Sequence, residues 1–127
     1  MNILVANDDG IQAKGIAKLT EALSLAGHDV YVIAPNGQRS AYSHAISINK
    51  DVLFSEVEDY PFAKEAYMVD GTPADCVKLG TLFLKKRGIR TEAVYTGINH
   101  GANLGTDTMY SGTVSSAAEG AFWVCRL

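Results

Sequence analysis

Apolar residues along the chain fall into short runs and helically spaced stretches, and this alternation predicts an α/β fold. Residues 3–6 form a continuous apolar run that stops at Asn7, as in a strand buried on both faces. Between residues 14 and 26 the apolar side chains recur at helical intervals, and Gly27 follows as a helix-ending glycine. The apolar run 30–34 then completes a strand–helix–strand unit, which indicates a parallel sheet.

Three later segments also have strand character. Residues 45–49 alternate apolar and polar side chains and predict an edge strand or one arm of a hairpin. Residues 66–69 and 93–98 predict two further strands. Residues 51–64 have no clean period, so no element is predicted there.

Two more helices are indicated by capping signals and spacing. Thr72 precedes Pro73 and Asp75, which is the pattern of an N-cap, a first-turn proline and an acidic first turn. The predicted inward stripe of this helix consists of Cys76, Leu79 and Phe83. The basic residues 85–87 suit its C-terminal end and are interpreted as a solvated terminus rather than a binding patch. A last helix is predicted from about Thr113 onward.

Composition and charge narrow the class of protein. The 127 residues are 47% hydrophobic and 20% charged, which is typical of one globular domain, and the formal net charge of −3 does not favour a nucleic acid polymer as partner. The N-terminus lacks the features of a signal peptide, and no apolar run is long enough to cross a membrane. Cys76 and Cys125 belong to no metal-binding spacing. We therefore expect a cytoplasmic protein with no membrane partner.

Polar residues cluster where predicted strands end or in the loops that leave them. The clusters are residues 7–10, residues 39–40 and residues 99–103. In parallel α/β sheets ligands bind at the carboxyl ends of strands, and carboxylate, hydroxyl and amide oxygens suit Mg²⁺ or Mn²⁺ better than zinc. Asp8 and Asp9 could instead form a turn or cap the following helix, although two adjacent carboxylates repel unless a cation neutralises them.

A second candidate is the hydroxyl-rich segment 110–114. It is expected to deliver a helix N-terminus, whose free backbone N–H groups and hydroxyls would form a phosphate seat. Ordinary Ser/Thr capping is the alternative. Arg39 could contact phosphate or lie free on the surface, and His44 and His100 could transfer protons or serve as structural hydrogen-bond partners.

Other protein classes fit these residues less well. A phosphoacceptor receiver domain would need a third aspartate closing a later strand. Asp51 lies outside a convincing buried strand, Asp70 directly precedes the helix start at residues 71–73, and no later Lys-Pro strand end appears. A dinucleotide oxidoreductase would need a G-x-G-x-x-G turn, whereas the first turn offers only Gly10 and Gly15. No P-loop and no G-x-S-x-G elbow occurs.

Five motifs together resemble the SurE family of survival-protein nucleotidases. They are residues 3–10, residues 34–44 with Ala34-Pro35, Arg39-Ser40 and Ser43-His44, residues 70–77, residues 97–105 and residues 110–114. The resemblance covers nearly all of residues 1–121, and the motifs follow the family's order. The resemblance implies a Rossmann-like three-layer α/β/α fold with a mostly parallel sheet, and a metal-dependent phosphatase acting on nucleoside 5′- and 3′-monophosphates and, in some members, short polyphosphate.

The same resemblance implies a role for eight residues. The implied ligands of a divalent cation, Mg²⁺ or Mn²⁺, are Asp8, Asp9, Ser40 and Asn99. The implied phosphate-binding residues are Asn103, Ser111, Gly112 and Thr113. Asp8 and Asp9 would also be catalytic, in an in-line hydrolysis whose nucleophile is either an activated water or one aspartate.

The resemblance weakens at the C-terminal end. Family members continue beyond residues 119–121 into further strands and an oligomer-forming arm, whereas this sequence closes with residues 122–127. We therefore expect residues 1–127 to form one domain that corresponds to the N-terminal portion of the family domain. Phe122 and Trp123 would then be incompletely covered, which predicts a homo-oligomer and leaves a weakly active or inactive nucleotide-binding fragment as the alternative function.

Overall fold

A single five-stranded sheet organises the computed structural model, which describes residues 1–37, 52–101, 104–105 and 111–124. Its strands are β1 (Asn2–Ala6), β2 (Asp29–Pro35), β3 (Phe54–Glu56), β4 (Glu65–Val69) and β5 (Ala93–Thr96). The helices are α1 (Lys14–Leu25), α2 (Pro73–Lys86) and α3 (Gly112–Val124). The predicted strand over residues 45–49 lies outside the described residues.

The order of the strands creates a switch point beside β1. The sheet runs β3-β4-β2-β1-β5, with β1 parallel to both β2 and β5, β2 parallel to β4, and β3 antiparallel to β4. The chain therefore moves from β1 to one side through α1 and later returns to the other side as β5. Because strand order reverses there, a crevice is expected at the carboxyl ends of β1 and β5.

Helices cover both faces of the sheet, which gives the expected α/β/α layers. On one face Ile3, Val5 and Val32 pack with Ile16 of α1. On the other face Leu4 and Ile33 pack with α2 residues, Val77 among them. Successive side chains of β1 and β2 thus pack alternately into the core on one face of the sheet and the core on the other. Both faces need apolar residues, so each strand is a continuous apolar run in the sequence.

The start of α2 confirms the predicted cap. The Thr72 hydroxyl accepts the backbone N–H of Asp75 at 3.1 Å, and the Asp75 carboxylate accepts the Thr72 N–H at 3.0 Å, so the two residues form a capping box. Two of the three residues in the predicted inward stripe face the core: Cys76 is buried, and Phe83 is partly buried and packs against the same cluster. Leu79 is only partly buried and is not part of that cluster. The stripe missed the buried positions Val77, Gly80, Thr81 and Leu84. Gly80 lets the backbone of the helix approach the sheet.

Some predicted boundaries require correction. β1 ends at Ala6 rather than Asn7, and β5 ends at Thr96 rather than at residue 98. The basic terminus of α2 is not simply solvated, because Arg87 is paired with Glu65 and stacks on Phe83. β3 lies within the segment for which no element was predicted, since a strand of three residues carries too little periodicity to be recognised.

The helix α3 lies close to β5 because one of its residues has no side chain. A Cβ on Gly120 would stand 2.7 Å from Val94 Cβ, so only glycine permits this approach. Further along the helix Phe122 is 53% exposed, whereas Trp123 is partly buried. None of the helices in the described part of the chain has the length and apolar character needed to span a membrane.

Candidate functional site

The turn after β1 is built by the buried side chain of Asn7. Its Nδ2 donates to the Gly10 carbonyl at 2.8 Å, and its Oδ1 accepts the Gly10 N–H at 3.2 Å. Gly10 has a φ of 103° and lies against Gly37, where a Cβ would be 3.1 Å from the Gly37 Cα. The closed ring of hydrogen bonds holds the turn, so Asp8 and Asp9 are not needed to form it.

The two aspartates do not cap α1 either. The N-cap of α1 is Ala13, and no side chain makes a capping hydrogen bond there. The capping interpretation of Asp8 and Asp9 is therefore wrong. Both carboxylates are directed to other elements, at the crevice between β1 and β5.

The carboxylate of Asp8 lies at this crevice and is almost completely shielded from solvent. It is 5% exposed, and its Oδ1 accepts a hydrogen bond of 2.7 Å from the Thr113 hydroxyl of α3. Within the described ranges no Lys, Arg or His forms an ion pair with Asp8. A buried carboxylate lacking a counter-charge is costly, which makes this position suited to a cation.

Asp9 and Asn99 extend the crevice on the β5 side. Asp9 Oδ2 accepts the backbone N–H of His100 at 3.0 Å, which connects the turn after β1 to the loop after β5. The side-chain Nδ2 of Asn99 donates to the Gly101 carbonyl at 2.6 Å, and its Oδ1 lies 3.5 Å from the Thr113 hydroxyl. The Asp8 carboxylate and the Asn99 amide oxygen thus both neighbour the Thr113 hydroxyl, and Asp9 contacts the residue that follows Asn99.

The N-terminus of α3 reaches the same place. Ser111 caps the helix by accepting the Val114 N–H at 3.3 Å through its hydroxyl oxygen, so the capping interpretation of Ser111 is confirmed. This bond uses the oxygen as acceptor and leaves its proton for another partner. The N–H groups of Gly112 and Thr113 have no acceptor within α3, as at every helix start, and they suit an anion.

Gly112 determines how close α3 comes to Asp8. A Cβ at this position would lie 2.9 Å from Asp8 Cβ and 3.0 Å from Pro73 Cγ. Any side chain would push the helix start away from the carboxylate. The sequence did not reveal that Pro73, in the first turn of α2, forms the other wall of this contact.

The donor set fits a hard divalent cation. Asp8, Asp9 and Asn99 supply oxygen atoms only, which Mg²⁺ and Mn²⁺ prefer. No group of three or more His, Cys, Asp or Glu residues able to hold a metal occurs in the described part of the chain. A set with two carboxylates and two neutral oxygen ligands would not form such a group. The fourth predicted ligand, Ser40, lies outside the described residues.

A cavity of about 460 Å³ is lined by Asp9, whereas Asp8 is not among the described residues that line it. Asp9, Asn99 and His100 line one side, while Lys14 and Ile98 line another. No pattern in the sequence indicated Lys14 or Ile98, because they are brought to the site only by the approach of α1 to the loop after β5. His100 contributes its backbone N–H to Asp9. The remaining predicted candidates, Arg39, His44 and Asn103, lie outside the described residues.

Comparison with known proteins agrees with this geometry. The family model described as survival protein SurE matches residues 3–126. A protein named 5′-nucleotidase SurE from Clostridium botulinum (strain ATCC 19397 / Type A) is 50% identical over 123 residues, which are 97% of this chain and 47% of that protein. Another protein of the same name, from Caldanaerobacter subterraneus subsp. tengcongensis, is 45% identical, and the match covers 96% of this chain and 47% of that protein. The chain thus spans about half the length of the curated relatives it matches.

A solved structure gives the same result for the fold. The crystal structure of the Sure protein from Aquifex aeolicus matches with a TM-score of 0.85 and 39% sequence identity. The match covers 97% of this chain and 47% of that one. The Rossmann-like α/β fold is therefore confirmed.

Proposed function

The chain belongs to the SurE family, and from that premise we propose that it is a metal-dependent phosphatase that hydrolyses nucleoside 5′- and 3′-monophosphates. The observation that carries the proposal is the buried Asp8 carboxylate, which has no counter-charge among the described residues and touches the start of α3 through Thr113. In this proposal a site for a cation adjoins a site for an anion. Metal-dependent hydrolysis of a phosphate ester uses both.

The proposed ligands of the cation are Asp8, Asp9, Asn99 and Ser40. The first three converge at the crevice, and their oxygen chemistry favours Mg²⁺ or Mn²⁺. When bound, such an ion neutralises charge on phosphate oxygens and lowers the pKa of a coordinated water.

The start of α3 and its loop are proposed to hold the phosphate. The Ser111 hydroxyl and the backbone N–H groups of Gly112 and Thr113 are proposed to form one side, while the Thr113 hydroxyl donates to Asp8. Asn103 is proposed to complete the site. The positive end of the α3 dipole stabilises the charge that develops on phosphate oxygens during hydrolysis. Because the donors belong to a helix start packed against Asp8 and Pro73, they are preorganised and need no rearrangement during the reaction.

Asp8 and Asp9 are proposed to act in the reaction as well as in binding. Each aspartate can orient an attacking water, and one of them could itself attack phosphorus in line with the leaving nucleoside oxygen. Asp9 is held by the His100 N–H, and Asp8 by the Thr113 hydroxyl, so both carboxylates have a fixed orientation. The two nucleophiles are distinguished by the configuration at a chiral phosphorus, because direct attack by water inverts it whereas two successive displacements through an aspartyl phosphate retain it.

Phosphate release tests the proposed function. The chain would be incubated with a panel of nucleoside 5′- and 3′-monophosphates, with Mn²⁺, with Mg²⁺ and with a chelator. We expect release with either cation and none with chelator. Turnover that persists in chelator would contradict the metal dependence, and a folded protein that binds nucleotide but releases no phosphate would favour the inactive-fragment alternative.

Self-association and a cytoplasmic location remain predictions. The exposed Phe122 and the edge position of β5 in the described sheet support self-association. Light scattering coupled to size-exclusion chromatography should give a mass above that of one chain, and Phe122→Ser should reduce it. A monomer at all concentrations would contradict the expectation.

A further inference from the structure

A second pocket lies at the end of the sheet opposite the Asp8 crevice. It has a volume of about 310 Å³ and is formed by the end of α2, residues 88–91 before β5, and Trp123 of α3. Because Thr91 precedes β5 whereas Asn99 follows it, the length of the strand separates the pocket from the crevice. The volume is at the lower end of the range found for small-molecule sites.

Two threonines in the wall of this pocket have hydroxyls without partners. Thr81 and Thr91 are 8% and 7% exposed, and neither hydroxyl oxygen forms a hydrogen bond in the part of the chain that the structure describes. Buried hydroxyls are nearly always paired. Rotation about χ1 exchanges the hydroxyl and methyl of a threonine, so a polar ligand in the pocket could satisfy both groups.

The rim of the pocket carries positive charge. Lys85 and Arg90 line it, and in the described ranges neither forms an ion pair. The carbonyls at the end of α2 are already satisfied, since Gly88 N–H donates to Lys85 O at 3.0 Å and Ile89 N–H donates to Leu84 O at 2.9 Å. No acidic side chain is among the described residues that line the pocket, so an anion is favoured there.

The remaining wall is apolar and flat. Ile89 and the Trp123 ring line the pocket, and the indole Nε1 donates to Glu119 Oε1 at 2.6 Å, which fixes the plane of the ring. A fixed indole offers a stacking surface to a planar ligand. We propose that this pocket binds a small organic anion with a planar ring and a carboxylate or phosphate group. The ring packs on Trp123, and the anionic group is held by Lys85, Arg90 and the two threonine hydroxyls.

The single tryptophan of the chain reports on occupancy directly. The full chain would be titrated with benzoate, phenylphosphonate and benzyl alcohol while Trp123 fluorescence is recorded. Phenylphosphonate has no ester bond, so the proposed phosphatase activity does not consume it. We expect saturable changes with the two anions and none with the alcohol, and the tighter of the two anions identifies the preferred group. Absence of a saturable change with both anions would overturn the proposal.

Matched variants locate the binding. Lys85→Gln combined with Arg90→Gln should weaken the affinity for the tighter anion about tenfold, as loss of two charge contacts predicts. Lys78→Gln combined with Lys86→Gln removes two charges of α2 that do not line the pocket and should leave the affinity unchanged. Equal affinities in the two double variants would overturn the proposal.

A threonine variant separates a binding role from a structural one. Thr91→Val should weaken the anion's affinity without lowering the melting temperature, because the lost hydroxyl has no partner in the described structure. Ser111→Ala, which alters the proposed phosphate site at the start of α3, should bind the anion as tightly as the unaltered chain, since Ser111 does not line this pocket. Binding that is lost in Ser111→Ala but kept in Thr91→Val would assign the signal to the crevice and refute the second pocket.

Discussion

Replacing Gly112 by alanine should separate the start of α3 from Asp8 with little loss of stability. The new Cβ would lie 2.9 Å from Asp8 Cβ and 3.0 Å from Pro73 Cγ. Favourable carbon–carbon contacts lie at about 3.5–4.0 Å, so relief of both contacts needs a shift of at least about half an ångström. The hydrogen bond of 2.7 Å from Thr113 to Asp8 lies in the path of that shift.

The expected energies differ for folding and for activity. Overpacking costs about 1–3 kcal/mol, and replacing glycine by alanine returns about 0.4–1 kcal/mol by restricting the unfolded chain. The net loss is then between about 0 and 2.6 kcal/mol, which leaves a protein with a typical stability of about 5–15 kcal/mol folded. Displacement of catalytic groups by a fraction of an ångström to one ångström lowers kcat by about 10- to 100-fold.

The measurement pairs Gly112→Ala with Gly120→Ala in the same helix. Gly120 is equally crowded, with a Cβ expected 2.7 Å from Val94 Cβ, but it packs against β5 away from Asp8. Urea unfolding and manganese-dependent phosphate release would be recorded for both variants. We expect similar losses of unfolding free energy and a loss of kcat in Gly112→Ala alone. Equal kcat in the two variants, or an inactive Gly120→Ala that is still folded, would refute the reasoning.

Three further variants test other parts of the structure. Thr72→Ala removes the N-cap hydroxyl of α2 and should lower the free energy of unfolding by about 1 kcal/mol in urea titrations, whereas Thr72→Ser should not. The hydrogen bond from Arg87 lowers the pKa of Glu65 below its ordinary value of 4.5, so its stabilising contribution is present above that pH and is lost as the pH falls through the lowered pKa. Unfolding curves of Glu65→Gln and the unaltered chain should therefore differ at neutral pH and converge in acid; a gap that widens in acid would contradict this sign. Gly15→Ala would place a Cβ 2.1 Å from the Ile98 carbonyl oxygen, and phosphate release should fall at least about tenfold; wild-type rates would show that the loop after β5 can move without consequence.

The sequence predicts much of this fold because β1 and β2 are buried on both faces. Their continuous apolar runs arise from alternate packing into two cores, and the Thr72 capping box is a strictly local signal. The predicted stripe of α2 missed several buried positions because the full extent of the buried face depends on tertiary packing. A Cβ on Gly80 would lie 2.6 Å from Ile33 Cδ1, so this glycine belongs to the buried side although its own hydrophobicity gives no such signal.

The candidate site was predictable in its residue types and not in its contacts. Asp8 and Asn99 are both found at strand ends, and the order of the parallel strands brings those ends together. The contact of Thr113 with Asp8 joins residues that are far apart in sequence and requires α3 to return to β1. The family match leaves no support for the receiver-domain alternative.

The central claim is that the carboxylate pair after β1 holds a catalytic divalent cation, and one titration tests it most directly. Phosphate release from a nucleoside monophosphate would be measured against Mn²⁺ concentration for the unaltered chain, for Asp9→Asn and for Asp59→Asn. Asparagine keeps the acceptor for the His100 N–H, and it tolerates the φ of 56° at the exposed position 59, so both variants should fold.

We expect Asp59→Asn to superimpose on the unaltered chain. Asp9→Asn should need at least about 10- to 100-fold more Mn²⁺ for half-maximal release. Even the loss of a residue that only hydrogen-bonds a metal ligand lowers metal affinity by that factor, and Asp9 is proposed as a direct ligand. Identical Mn²⁺ dependence in all three proteins, or full release without any divalent cation, would contradict the account.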